Sequence, residues 1–521
     1  MISRTANPEV RLQVGSFNTV PIFGLDVEEL RPGQVAVIDD QVDGYPLRSL
    51  RHLQPGDYYV QALLNIYTEF CRADGHTIWA HMDQWEGQRF NISPGNLYSR
   101  QERLHIDPTQ SRTIHLALTE VIPAAVIPAD TEWIKHVKIQ SEILTRFWGR
   151  PIYLGAIVLL PRGYVSSPNE RYPVVYEQGH FSLAAPFRFT TEPVVETDEE
   201  REARENLGYE TGYEFYQSWN SNRFPRMLAV TLQHPTPYYD NSFAVNSENM
   251  GPYGDAITTE LMPYVEREFR AIGEPYARVL TGGSAGGFES LALQLYYPGM
   301  FGGTWTFCPA EIDFRRYYTL NIYEDANAFV FRPIDFLSKQ LHGDWLPIER
   351  LLLRTVEGQS IVTVRQVRQL ESVLGSRGRG AFWFDPSEAA FGQVGEDGYP
   401  CHVFDPATGD IKRNVANYWR DSGHDLREFA ERNWTRIGPE LIRKLHFYAG
   451  EMDEYYVNLA VYRFEEFLET ARPHYRGSFD YGRPTKGHMW TPMTHANLIR
   501  VMANQIAEGA TTGASIVWNE N

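Results

Sequence analysis

The sequence predicts an α/β protein, a mainly parallel sheet flanked by helices, behind an all-β front segment. Three observations predict it. From about residue 132, apolar strand runs alternate with helical patterns. Before that point, short strand-like runs are separated by turn residues and no helical period appears. At 279–288 a strand, a sharp serine-bearing turn and a helix follow directly on one another: Val279-Leu280-Thr281-Gly282-Gly283-Ser284-Ala285-Gly286-Gly287-Phe288.

The bulk composition sets the frame. At 521 residues the chain is too long for one small core, so two or three domains are expected. Hydrophobic residues make up 43% and charged residues 22%, as in an ordinary globular protein. The net charge of −18 argues against a nucleic-acid partner, since no basic surplus is available to displace counterions. Cys71, Cys308 and Cys401 have neither metal-ligand nor disulfide-framework spacing. No apolar run approaches the ~20 residues that span a bilayer. Met1-Ile2-Ser3-Arg4 lacks the apolar stretch of a secretion signal. This leaves a cytoplasmic protein, or a periplasmic or secreted one with its signal trimmed. Oligomeric state is not readable.

Residues 1–125 read as a β-sandwich domain. Val35 to Ile38, Tyr58 to Ala62 and Thr113 to Leu118 are its strand candidates, broken by Pro55-Gly56-Asp57 and Ser93-Pro94-Gly95-Asn96. The stretch 121–131 is rich in proline and alanine and reads as a linker.

The second domain, 132–521, opens with strands at 151–160, 172–176 and 227–232 and a helix over 253–270. The serine turn and its helix follow, then a strand at 304–307. Residues 311–440 interrupt the alternation with helical patterns, among them Ile348 to Leu353 and Val364 to Leu374. An insertion at such a place is expected to act as a helical cap or lid. Its basic turn, Gly375-Ser376-Arg377-Gly378-Arg379-Gly380, reads as a solvated loop, because no strand–helix frame makes it a phosphate cradle. The sheet resumes at 444–449, followed by a helix over 455–468, a strand near 476–481 and a helix near 493–506.

Gly282, Ser284 and Gly286 form G-x-S-x-G. The turn is strained and the backbone approaches closely, so glycines flank the serine. The serine then stands at a helix N-terminus, where the amide of Ala285 can meet a developing oxyanion. A serine nucleophile needs a base, and the base an orienting acid. Asp453 follows the strand 444–449, and His488 follows the last strand; both fit the order serine, acid, histidine. Asp453 could instead cap the helix beginning near Tyr455. Asp313 is the alternative acid, with Glu451 and Glu454 poorer fits. His474 and His495 compete with His488. The loop Glu177-Gln178-Gly179-His180-Phe181 offers a second oxyanion donor, the amide of His180 or of Phe181.

Arg171 to Gly179, Gly251 to Val265, the elbow through Phe301, Gly450 to Asp453 and Gly487-His488 together resemble the putative-esterase family of α/β-hydrolases. That family includes feruloyl and acetyl-xylan esterases, enterochelin esterases and esterase D. The resemblance covers roughly 150–310 and 440–510. It implies an α/β-hydrolase fold and a serine esterase in which Ser284, Asp453 and His488 carry catalysis with no metal or organic cofactor. It also implies that the front segment is similar to the immunoglobulin-like modules preceding some of these esterases. Ester-linked feruloyl or acetyl groups on polysaccharides are the leading substrate class. Acyl transfer by the same triad, peptide hydrolysis and non-catalytic glycan or siderophore binding are the rivals. The chain departs from the family in having Gln178-Gly179 where His-Gly is usual, and in the length of 311–440.

Overall fold

The computed structural model describes residues 1–510 apart from 88, 111, 333–339 and 341–346, together with 516 and 518. Its centre is an eight-stranded sheet. In chain order the strands are β1 (Ile134–Ser141), β2 (Ile152–Leu159), β3 (Val174–Gln178), β4 (Leu228–Gln233), β5 (Arg278–Gly283), β6 (Gly303–Phe307), β7 (Leu445–Gly450) and β8 (Ser478–Gly482). Their spatial order is β1-β2-β4-β3-β5-β6-β7-β8. β2 runs antiparallel to β1 and β4, and every later pairing is parallel.

Helices cover both faces, so the central strands are continuous apolar runs instead of alternating ones. All residues of β4 and β6 are buried. The helix after the serine, Ala285–Tyr296, is buried from Ala285 through Leu295. This is the α/β-hydrolase fold, with its mixed sheet flanked by helices. The helix expected over 253–270 is present in three parts: Tyr253–Ala256, a π-turn at Ile257–Leu261, and Met262–Glu268. Pro263 has no N–H to give to the preceding turn, and the wider turn accommodates that loss.

The front segment is built of short strands in small sheets. Ile2–Ser3, Gly56–Val60 and Glu102–Ile106 form one; Leu63–Leu64, Leu97–Ser99 and Leu118–Val121 form another. Ile22–Phe23 pairs with Gly44–Tyr45, and Thr68–Cys71 with Thr77–Ala80. Val35 to Ile38 is not a strand. The run lies in a loop where Val35 is 77% exposed, so its apolar character reports no burial. Only Leu118 of the Thr113 to Leu118 candidate joins a strand. The linker candidate has no regular structure beyond Val121.

This segment is not a free-standing module. Phe70, Ile78 and Ala80 pack into the main core with Trp148 and Leu154. Val14, Ile22 and Tyr45 share a cluster with Leu370 and Val373 of the insertion.

The insertion contains helices Val364–Leu374, Phe384–Phe391, Arg413–Asp421 and Leu426–Leu441. It is not purely helical. Ile348 to Leu353 forms strands Ile348–Glu349 and Leu351–Arg354, the latter paired with Ser360–Thr363. The basic turn is not a solvated loop at Arg379, which is buried, pairs with Asp26 at 2.8 Å and lies over the Tyr67 and Tyr399 rings.

Candidate active site

The elbow forms as its glycines require. β5 ends at Gly283, and Ser284 takes φ 57°, ψ −119°, a left-handed backbone that side chains rarely adopt. Its N–H donates to Phe307 O at 3.0 Å, and its carbonyl accepts from Phe288 N and Ala310 N, both at 3.1 Å. Gly286 is needed for closeness: a Cβ there would lie 2.1 Å from Gln178 O. The oxyanion loop and the elbow helix therefore touch backbone to backbone.

Asp453 and His488 come from loops following β7 and β8. Asp453 is fully buried, and its Oδ2 lies 2.7 Å from His488 Nδ1. Its Oδ1 accepts from Tyr455 N at 2.9 Å and Val457 N at 3.4 Å. The turn is capped through Oδ1, which leaves Oδ2 to His488. Burial pulls the His488 ring toward neutrality, but the Asp453 carboxylate and the neighbouring Cys308 sulfur outweigh it. The imidazole is held well above its ordinary value. Ser284 Oγ itself makes no hydrogen bond to His488 among the described residues. Such bonds commonly tighten only around substrate.

The loop carrying His488 is fastened at several points. His488 N donates to Glu454, the residue set aside as a poorer acid. Met452 N donates to Lys486 O at 2.9 Å, and Tyr209 Oη donates to Met489 O at 2.8 Å. Met489 N donates to Cys308 Sγ at 3.3 Å. Cys308, just past β6, is buried, and its sulfur lies within 4.8 Å of a carboxylate oxygen of Asp453 and a ring nitrogen of His488.

The competing residues are engaged elsewhere. Asp313 caps the turn Phe314–Arg316 and pairs with Arg463 at 2.8 Å. His495 begins the last helix among the rings of Phe187, Tyr209 and Phe215. His474 is exposed.

The oxyanion loop departs from expectation at one residue. The amide of Phe181 is taken by Asp240 Oδ1 at 3.0 Å and is not free for an oxyanion. Asp240 also binds His180 Nδ1 through its other oxygen. This buried carboxylate raises the His180 imidazole above its ordinary value, although burial opposes it. Of the two expected amides, that of His180 remains the candidate.

Three neighbours were not legible as site residues. Asp240 lies sixty residues from the loop it holds. Glu311 is buried, with φ 60°, and accepts from Tyr318 Oη at 2.8 Å and Ser387 Oγ at 2.8 Å. Burial raises its carboxyl to about 7. Tyr455 places its ring edge-on to His488 at 4.6 Å. Only Cys308 had a sequence signal, its position directly after the strand that follows the elbow.

Residues 153–312 match the family model described as "Putative esterase". No curated protein matches the chain. Among solved structures, a ferulic acid esterase is 14% identical, with 72% of this chain and 98% of that one covered and a TM-score of 0.37. An S-formylglutathione hydrolase from Agrobacterium tumefaciens is 12% identical, over 73% of this chain and 97% of that one, with a TM-score of 0.35. Overlaps this loose add nothing to the geometry above.

Proposed function

We propose that the chain, whose residues 153–312 match the putative-esterase family model, is a carboxylic ester hydrolase with Ser284 as its nucleophile, His488 the general base and Asp453 the orienting acid. Ser284 Oγ attacks the ester carbonyl while His488 Nε2 takes its proton. Asp453 Oδ2 fixes the ring through Nδ1 and stabilises the imidazolium that forms. The tetrahedral oxyanion is met by the amides of Ala285 and His180. His488 then returns the proton to the departing alcohol. Water releases the acid from the acyl-enzyme by the same steps. The observation that carries this reading is the conjunction of a left-handed serine at a buried helix N-terminus with a histidine 2.7 Å from a buried aspartate.

Ester-linked feruloyl or acetyl groups on carbohydrate are the proposed substrates. A run of rings supports an aryl acyl group: Tyr455 beside His488, Trp383 stacked on Tyr455, and Tyr318 against Trp383 at 5.7 Å. We assign the catalytic domain to 132–521, the cap to 311–440 within it, and an immunoglobulin-like buttress to 1–125. The shared clusters with the insertion favour a buttressing role over an independent binding module.

The test is hydrolysis of p-nitrophenyl acetate, p-nitrophenyl butyrate and methyl ferulate by wild type and Ser284→Ala. Loss of all three activities in the variant is expected, by about 10³-fold or more. Equal rates in both proteins would remove Ser284 from the mechanism. An added acceptor alcohol separates hydrolysis from acyl transfer.

A further inference from the structure

A second cluster of ionisable side chains lies in the front segment, just after the strand Thr77–Ala80. A ring nitrogen of His81 and one oxygen each of Asp83 and Glu86 lie within 4.8 Å of one another. His81 is 3% exposed, and the Glu86 side chain is 2% exposed. His81 Nε2 sits 2.6 Å from Glu86 Oε1. Asp83 Oδ1 accepts from Trp85 N at 2.6 Å, and Glu86 Oε2 from Gln84 N at 2.7 Å.

Two buried atoms of this cluster have no hydrogen-bond partner among the described residues: Asp83 Oδ2 and His81 Nδ1. A buried, unpaired carboxylate oxygen is costly, and a second carboxylate beside it makes it more so. Lys138 is near enough to feel Asp83, but its ammonium is seated over the Trp85 ring at 4.1 Å. Among the described residues Asp83 Oδ2 is thus left without a hydrogen-bond donor.

We propose that His81, Asp83 and Glu86 bind a divalent transition-metal cation of the zinc class, with a structural role. One imidazole and two carboxylates are the donor set such borderline ions accept in tetrahedral sites, with water as the fourth ligand. Calcium would need six or more oxygens, and three side chains here do not supply them. The cation gives Asp83 Oδ2 the partner it lacks among the described residues.

The position of the cluster gives the ion its consequence. His81 N donates to Pro237 O at 3.1 Å, and its ring stacks on Tyr239 at 4.2 Å and 7°. The next residue, Asp240, holds His180 and the Phe181 amide. Trp85 meets the Phe181 ring edge-on at 5.6 Å. An ion that fixes the loop 81–86 thus fixes both supports of the oxyanion loop. His81, Asp83 and Glu86 are positioning residues, remote from the reacting atoms.

The experiment uses chelator-treated full-length chain titrated with Zn²⁺, and separately with Ca²⁺, by calorimetry and thermal denaturation. Asp83→Asn, Glu86→Gln and His402→Gln are compared with wild type; the last alters another acid–histidine cluster, Asp385–Glu388–His402. One Zn²⁺ per chain is expected, with a higher Tm and a higher kcat at unchanged KM. Binding should be at least tenfold weaker in Asp83→Asn and Glu86→Gln and unchanged in His402→Gln. Failure of wild type to bind Zn²⁺, or affinity in both acidic variants within twofold of wild type, overturns the proposal. Should those variants not fold, Co²⁺ bound to wild type decides. A visible ligand-field spectrum without a thiolate charge-transfer band supports the site, whereas a thiolate band places the metal at Cys308 and overturns it.

Discussion

Trp383 of the insertion stacks on Tyr455 with ring centroids 5.2 Å apart and planes at 18°, and Tyr455 in turn meets the edge of His488. The insertion thus reaches the proposed base through one intervening ring. If the rings form the acyl wall, Trp383→Ala removes one stacking partner, worth about 0.5–1.5 kcal/mol beyond buried area. KM for methyl ferulate should rise roughly 3- to 10-fold. The rate on p-nitrophenyl acetate, which cannot reach that ring, should change little. Equal losses on both esters would mean that the ring supports the catalytic pair and not the substrate.

The pH dependence of turnover should be displaced upward. His488 must be neutral to accept the proton from Ser284, and its imidazole is held above the ordinary value of 6.5. Activity should therefore rise with pH through a midpoint above 6.5 in kcat/KM. In Asp453→Asn the midpoint should fall, and kcat should drop by about 10⁴-fold. A wild-type midpoint below 6.5 would contradict the ring's environment.

Glu311 should make the fold weaken as pH rises. Its carboxyl is raised from 4.5 to about 7 by burial, so the folded chain holds a proton that the unfolded chain has released. The stability is intact below pH 4.5 and is lost as pH rises to about 7. The loss is on the order of 3 kcal/mol. Glu311→Gln should raise Tm at pH 8 and leave it nearly unchanged at pH 4. A Tm gain of the same size at both pH values would show that the carboxyl does not titrate as its burial demands.

Gly286→Ala tests the contact between the elbow and the oxyanion loop. The new methyl would sit 2.1 Å from Gln178 O and 2.5 Å from Gln178 C, both backbone atoms that cannot swing away. Overpacking of this kind costs about 1–3 kcal/mol. We expect a lower Tm and a kcat loss larger than that Tm change explains, because the shift falls on the oxyanion loop. Wild-type kcat in a folded Gly286→Ala would show that the loop's position is not critical.

Much of this was legible in the chain itself, for identifiable reasons. Gly282, Ser284 and Gly286 announce the elbow because few other backbones require that spacing. The pairing of Asp453 with His488 follows from counting strands, since topology dictates where each loop lands. Ile348 to Leu353 misled because a short apolar run carries no usable period, and it pairs as a hairpin. Val35 to Ile38 misled because apolar residues also occupy surfaces. The engagement of the Phe181 amide could not be read from its neighbours. Its acceptor, Asp240, lies sixty residues away and is brought near only by the order β4-β3 in the sheet.

At position 284 the backbone angle and the residue pull in opposite directions. A φ of 57° is one that glycine adopts freely and serine adopts at a cost of about 1 kcal/mol. Ser284→Gly should therefore be the rare substitution at an enzyme's centre that yields a sturdier, inert protein. A serine hydroxyl at such a backbone angle is what the proposed nucleophile requires.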